Sequence, residues 1–318
     1  MTASNANSPS RATFVEIDDN HADQRVDNFL ISYLKGVPKS HVYRILRKGE
    51  VRVNKGRIRA NYRLQVGDSV RIPPIRQAEE KPVQTPHARV LQAIADSVIY
   101  EDAALLALNK PSGIAVHGGS GLSYGVIEAL RVLRPDAHFL ELVHRLDRDT
   151  SGCLLIAKKR SVLRYLHELL RGDGMNKRYV ALVRGQWQGG DKRVELALQK
   201  NTLRSGERVV RVDENGKEAL SIFHPLEVYS SSSLMEVELK TGRTHQIRVH
   251  AAASGFPIAG DDKYGDASFD RTLRELGLKR LFLHARSLTF TAMDGEQQMM
   301  IEAPLPQDLQ NVLKKLST

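Results

Sequence analysis

The sequence predicts an α+β protein made of a small N-terminal module and a larger second domain. Three observations carry that expectation. Before residue 73, two short helical stripes are followed by short alternating strands; Pro73, Pro74, Pro82 and Pro86 then break the chain; beyond them, strand-length apolar runs and turn residues alternate with amphipathic helices. The 318 residues, 41% hydrophobic and 26% charged, suffice for one large core and one small one.

Taken in order, residues 1–13 are rich in Ser, Asn and Ala and are expected to be disordered; they lack the basic-then-apolar layout of a secretory signal. Phe14 to Ile17 alternate as a strand. Val26, Phe29, Leu30, Tyr33 and Leu34 recur at helical spacing up to Gly36 and Pro38. A second helix is expected with Ser40 as its cap, Val42, Ile45 and Leu46 inward and Gly49 at its end. Strands at 51–53 and 69–72 flank the turn Asn54-Lys55-Gly56, giving a module over 14–72 and a linker over 73–87.

The net charge of +10 is concentrated in that module. Residues 35–63 hold ten Lys or Arg against the single acid Glu50, which is +9 of the total. A charge run is often a solvated face, but one sign on a folded module repels itself and favours a polyanionic partner. Arg44, Arg47, Lys48, Arg52 and Lys55 are the candidate phosphate contacts, which supply salt-dependent affinity and little sequence choice.

The second domain, 88–318, opens with strands at 98–100 and 105–109. Gly118, Gly119 and Gly121 are not followed by Gly-Lys-Ser/Thr, so they are expected to form a closely packed turn rather than a phosphate loop. Helices follow at 124–133, with Val126, Ile127, Leu130 and Leu133 inward, and from a Ser161 cap to Gly172, with Val162, Leu166, Leu169 and Leu170 inward. A strand over 176–185, hairpins over 194–238 with a turn at Glu214-Asn215-Gly216, and a last helix over 309–316 complete the order. No apolar run approaches the roughly 20 residues of a membrane span, and a cytoplasmic location is expected.

Chemistry concentrates at His144-Arg145-Leu146-Asp147-Arg148-Asp149-Thr150-Ser151-Gly152, a polar turn between apolar runs at 140–143 and 153–157. Two buried strands would carry it to a cleft, where functional loops sit. Positive charge on both sides of Asp147 favours a carboxylate ready to act as nucleophile or base. The alternative is that Asp149, Thr150 and Ser151 merely bond within the turn, with Gly152 as a permissive backbone. Metal ligation is disfavoured: His245 and His250 are five apart, not four, and there is no His-Glu-x-x-His, no Cys pair and no third carboxylate nearby. A paired-carboxylate glycosidase is a further alternative. The histidines are expected to make structural hydrogen bonds, and the lone Cys153 to be a buried hydrophobe.

The pattern His-Arg-Leu-Asp-x-x-Thr-Ser-Gly resembles the catalytic motif of the RluA family of pseudouridine synthases, with Asp147 at the position of the family's essential aspartate. Lys110-Pro111-Ser112-Gly113 with Val116-His117-Gly118 resembles its first motif, and Lys177-Arg178-Tyr179 its Lys-x-Tyr strand. Thr241-Gly242-Arg243-Thr244-His245-Gln246-Ile247-Arg248-Val249-His250 matches its third motif, followed by Gly260-Asp261, Tyr264-Gly265 and Leu283-His284-Ala285. The Lys48 to Asn54 stretch resembles an S4-like RNA-binding module. The likeness covers about residues 20–310 and is nearest to the RluC-type members.

This resemblance implies an S4-like module followed by a synthase domain with a mixed, largely antiparallel sheet and a central cleft. It implies catalysis by Asp147, Tyr179 and Arg248, with Arg248 pairing with Asp147 and Tyr179 stacking on the uracil. Arg145 would fill the stack left by the flipped nucleotide, with Arg243 and His245 also toward RNA. It implies no cofactor and no metal, 23S rRNA or 50S assembly intermediates as partner, no membrane, no obligate protein partner, and action as a monomer. The alternatives are other 23S rRNA sites or a non-catalytic RNA-binding assembly factor.

Overall fold

The computed structural model describes residues 11–18, 21–34, 36–75, 86–119, 124–202, 208–295 and 297–317. It divides into two units, 1–84 and 85–318. Most of the expected linker, residues 76–85, most of the expected disordered start, residues 1–10, and Gly121 lie outside the described residues.

In the first unit the helical stripes become α1 (Val26–Tyr33) and α2 (Lys39–Lys48), and the strands become β1 (Thr13–Glu16), β2 (Arg52–Val53), β3 (Gly56–Arg57) and β4 (Ser69–Ile72). They form an antiparallel sheet in the order β1-β4-β2-β3. Phe29 and Leu30 of α1, Val42 and Ile45 of α2, and Val53, Val70 and Ile72 of the sheet make its core. Gly49 ends α2 with φ +70°, its amide donating to the carbonyls of Ile45 and Leu46, the left-handed cap for which glycine is suited.

Two local expectations fail here. Ser40 does not cap α2; Pro38 holds that position, its φ of −57° leading into a helix that begins at Lys39, two residues earlier than a Ser40 cap would allow, and leaves Ser40 inside it. Thr13 belongs to β1, paired with Ile72, so order begins within the stretch read as disordered. With the apolar stripe of α2 buried, Arg44, Arg47 and Lys48 are left exposed, as are Arg52 and Lys55.

The second unit runs α3 (Ala88–Asp96), β5 (Val98–Glu101), β6 (Leu105–Lys110), α4 (Val126–Leu133), β7 (Glu141–Leu142), β8 (Ser151–Ala157), α5 (Arg160–Arg171) and β9 (Met175–Arg184). It continues through β10 (Lys192–Glu195), β11 (Leu198–Thr202), β12 (Arg208–Val212), β13 (Leu220–Val228), β14 (Ser232–Leu239), α6 (Gln246–Ala253), α7 (Ala267–Glu275), β15 (Leu283–Thr291), β16 (Gln298–Glu302) and α8 (Gln307–Leu316). A ten-stranded sheet has the order β10-β13-β14-β9-β15-β8-β6-β5, with β16 on β15 and β7 on β8; β11 and β12 pair apart from it. Among its ladders the β15–β8 pair is parallel and the others antiparallel, so the sheet is mixed and largely antiparallel.

Apolar residues cover both faces of the sheet centre. Leu106, Leu108, Leu154 and Ile156 face Val126 and Leu130 of α4, while Leu105, Ala107, Cys153 and Leu155 face Val162 and Leu166 of α5. Strand β8 is buried along its whole length, which is why its sequence reads as an unbroken apolar run rather than an alternation. The parallel join at its start requires Gly152: φ is +113°, and any Cβ would run into the backbone of Ala285.

Helices α3 and α7 were absent from the sequence reading. The first is short and buries Ile94 fully, with Val90 and Leu91 partly buried beside it. The second is set by Asp266, whose carboxylate accepts from the amides of Ser268 and Phe269. Ser161 is not the cap of α5, which starts at Arg160 after Lys159. Gly119 has open space where a Cβ would stand, so the expected close packing belongs instead to Gly125, which abuts Ala115 and His117.

A half-buried and a buried imidazole make the domain acid-sensitive. His144 Nε2 accepts from the Leu155 amide at 3.1 Å, and His284 lies between the Ser151 hydroxyl at 2.9 Å and the Ala303 carbonyl at 3.0 Å. Burial pushes both down to about 4 from the usual 6.5. Between these values the unfolded chain binds protons that the folded chain refuses, so stability is full above pH 6.5 and falls as pH drops to 4, by about 3 kcal/mol per histidine. Urea unfolding of the native chain and of His144→Gln across that range should show a shallower pH slope for the variant.

Candidate active site

Several segments of the second unit, among them the end of α5 with Arg171 and Asp173, meet at one cleft of about 600 Å³. The loop 144–150 enters from between β7 and β8, β9 brings Lys177 and Tyr179 on one face, the turn after β14 brings residues 240–245, and the first turn of α6 brings Arg248. Arg145, Arg171, Lys177, Lys240, Arg243 and Arg248 give its wall an excess of positive charge over Asp147 and Asp173. Such a wall focuses a polyanion onto the carboxylate between them.

Asp147 keeps 22% of its side chain exposed. His245 Nε2 stands 3.8 Å and Arg248 Nη1 3.9 Å from its Oδ2. The expected Arg248–Asp147 pairing is therefore a loose ion pair. The guanidinium spends its fork on Asp261, with Nε and Nη2 donating at 2.7 Å each, and Nη2 reaches Asp262 at 3.3 Å. Burial opposes the charge on Asp261, but the Arg248 bonds and the amides of Lys263 and Tyr264 outweigh it and hold the carboxyl below its ordinary value. Arg248 and Asp261 are both buried, at 3% and 0% side-chain exposure, a charge pair held by a two-pronged bond from Nε and Nη2. Asp261 is the residue that sequence reasoning passed over: it appeared as part of a motif, with no partner to give it a role.

Arg145 and Arg148 do not hold Asp147. Arg148 pairs with Asp149 at 3.2 Å, and the Arg145 guanidinium is exposed with no hydrogen bond or ion pair to the described residues. Arg243 is exposed, its Nε donating to the Glu218 carbonyl at 3.0 Å. His245, expected toward RNA, is turned inward at 13% side-chain exposure, because its backbone is left-handed at φ +53° and its Nδ1 meets the Tyr264 hydroxyl at 2.9 Å. Tyr179 is buried between β14 and β15, opposite Val237 and Ala285. Burial, then the nearness of Asp147, raises its phenol above the ordinary value, so it is a neutral hydroxyl at working pH.

Lys110, seen in the sequence only as a motif letter, anchors the loop. It is fully buried, and its Nζ donates to the carbonyls of Pro111 at 2.8 Å, Ile114 at 2.8 Å and Arg148 at 3.0 Å. Burial pulls the ammonium down to about 7 against the pull of Asp149 and Asp147. Three carbonyl acceptors require three N–H donors, which only the ammonium has. Lys110→Met should strand all three and cost about 3 kcal/mol or more, lowering the melting temperature by roughly 6–12 °C and slowing the enzyme through a loosened 144–150 loop; calorimetry and a rate assay check both.

Two further histidines hold structure. His250 lies between the Ser221 hydroxyl and the Leu196 carbonyl at 3.1 Å each, and His167 bonds the Val143 carbonyl at 3.0 Å. Cys153 is buried, and burial pushes its thiol up to about 12, which leaves it unreactive. Among the described residues no group of three or more His, Cys, Asp or Glu could hold a metal ion, and no helix is long and apolar enough to cross a membrane.

A half-buried carboxylate beside a fixed guanidinium, a buried neutral tyrosine and a cationic rim suit a reaction on a base of a nucleic acid without redox change. Residues 104–253 match the family described as RNA pseudouridylate synthase, and residues 24–70 match the S4 domain. The chain is 59% identical over 305 residues to ribosomal large subunit pseudouridine synthase C of Escherichia coli strain K12, covering 95% of this chain and 96% of that one. It is 57% identical over 302 residues to the protein of the same name from Pasteurella multocida, covering 94% and 92%. Its structure is similar to human RNA pseudouridylate synthase domain containing 4, with TM-score 0.61 and 27% identity over 72% of this chain and 96% of that chain. A carboxylate cleft on a mixed sheet, an S4 domain before it and likeness along nearly the whole length agree: the chain belongs to the RNA pseudouridylate synthase family.

Proposed function

We propose that this enzyme converts uridines of large-subunit, 23S ribosomal RNA into pseudouridines, acting in the cytoplasm as a monomer. What carries the proposal is Asp147, the half-buried carboxylate at the centre of a cationic cleft, in a chain similar along nearly all its length to large-subunit synthases. Residues 14–72 serve as the RNA-docking module and 88–318 as the catalytic domain.

The reaction breaks the bond from N1 to C1′, turns the base, forms a bond from C5 to C1′, releases the C5 proton and returns one proton to N1. Atoms and electrons balance without a donor. Asp147 acts on the sugar, either by attacking C1′ or by removing its neighbouring proton. Tyr179 presents a flat, neutral face on which the freed uracil stacks while it turns. The target must leave the helix to reach the cleft, at a cost of a few kcal/mol, and the unpaired Arg145 guanidinium takes the vacated place in the stack.

The test is incubation with unmodified 23S transcript and with transfer RNA, followed by mapping of pseudouridine at single-nucleotide resolution. New sites in 23S RNA support the proposal; new sites confined to transfer RNA, or none in either, overturn it. Changing Arg44, Arg47 and Lys48 to Gln should weaken RNA binding and flatten the plot of log affinity against log salt by roughly two units, with the single-turnover rate at saturation unchanged.

A further inference from the structure

We propose that His245 is a positioning residue for Asp147, locked by Tyr264 and the Val210 amide in the tautomer whose Nε2–H faces the carboxylate. The inference rests on the reading of Asp147 as the catalytic carboxylate and adds a residue to it.

The lock follows from counting protons. The Val210 amide on β12 donates to the Tyr264 oxygen at 2.9 Å. That oxygen keeps its own proton, and His245 Nδ1 at 2.9 Å is the side-chain acceptor placed to take it. With Nδ1 accepting, the ring proton sits on Nε2, and Nε2 is the atom 3.8 Å from Asp147 Oδ2. The ring lies edge-on to Tyr264, centroids 5.6 Å apart, and the Arg248 guanidinium lies 5.2 Å from the Tyr264 ring centroid. Tyr264 therefore touches both groups that flank Asp147.

The backbone is spent on the same placement. His245 is one of four non-glycine residues with positive φ among the described residues, at +53°, and it opens α6 without capping it. A strained residue that contributes no cap is held for its side chain. Both His245 and Arg248 converge on Oδ2, and no hydrogen bond or ion pair from the described residues reaches Oδ1. The pair thus holds the carboxylate through Oδ2 and leaves Oδ1 without a bond to the described residues. The charged and titratable groups that face the ring are Asp147, Arg248, Lys263, Asp261 and Tyr264. Burial, with Arg248 and Lys263, outweighs the two carboxylates and lowers the imidazole below its ordinary value, so the neutral donor persists through the working range.

The experiment compares native enzyme with His245→Asn, His245→Gln and Tyr264→Phe in single-turnover assays on 23S RNA at saturation, with RNA affinity, melting temperature and a pH–rate profile for each. Asn tolerates the left-handed backbone but is too short to present a donor to Asp147; Gln can reach. The expected result is a fall on the order of 10²-fold in the rate for Asn, partial recovery in Gln, and unchanged RNA affinity. Tyr264→Phe should lose less and move the acid limb of the pH profile upward, since Nδ1 is released to take a proton. A native rate in both His245→Asn and Tyr264→Phe, or weakened RNA affinity with a native saturated rate, would overturn the proposal. Failure of the underlying reading is distinguishable: it would appear as activity retained in Asp147→Ala.

Discussion

Asp147→Ala is expected to lose pseudouridine formation by about 10⁴-fold or more in single turnover, while RNA affinity stays within about threefold. The reason is local. The neighbouring carboxylate does not substitute: Asp149 is tied to Arg148. The affinity survives because the cationic rim and the exposed cations of the S4 domain make the phosphate contacts. Asp147→Asn should be nearly as inactive, since an amide keeps the shape of the carboxylate and loses its nucleophilicity and its basicity.

The second large effect is structural. Asp261→Ala leaves the Arg248 guanidinium, 3% exposed, without its two 2.7 Å bonds and with only the exposed Asp262 at 3.3 Å beside it. An uncompensated buried charge costs about 3–5 kcal/mol, or roughly 6–20 °C in melting temperature for a domain of this size. The rate should fall with it, because the freed guanidinium either leaves Asp147 or swings onto it. Arg248→Met in the Asp261→Ala background should recover part of the stability and none of the rate, since removing both charges relieves the burial cost without rebuilding the site. Equal losses in the single and double variants would show that the pair is not the coupled unit described.

The parts of this molecule that were readable in the sequence are those whose signal is local. The helical stripe around Val42, Ile45 and Leu46, the Gly49 cap, and the unbroken apolar run of β8 each follow from spacing within a few residues. The loop carrying Asp147 was readable because its polar residues break off before the unbroken apolar run of β8, although the strand expected to be buried on its other side, β7, is two residues long and not buried. What escaped was set by distant partners. Lys110 meets Arg148 thirty-eight residues away, Arg248 turns to Asp261 rather than to Asp147, and His245 is aimed by Tyr264 and Val210. No periodicity encodes such pairings. The misplaced caps at Ser40 and Ser161 have the opposite cause: a favourable local residue was overruled by a helix that begins earlier.

The central claim, that Asp147 drives isomerisation of uridine in RNA, is tested most directly by tritium release from 23S RNA labelled at uracil C5, run without added metal or nucleotide. The new bond from C5 to C1′ must expel that hydrogen. Release by the native enzyme, with none above background by Asp147→Ala, is the predicted result; equal release by both would contradict the assignment of the carboxylate, and no release by either would contradict the reaction itself.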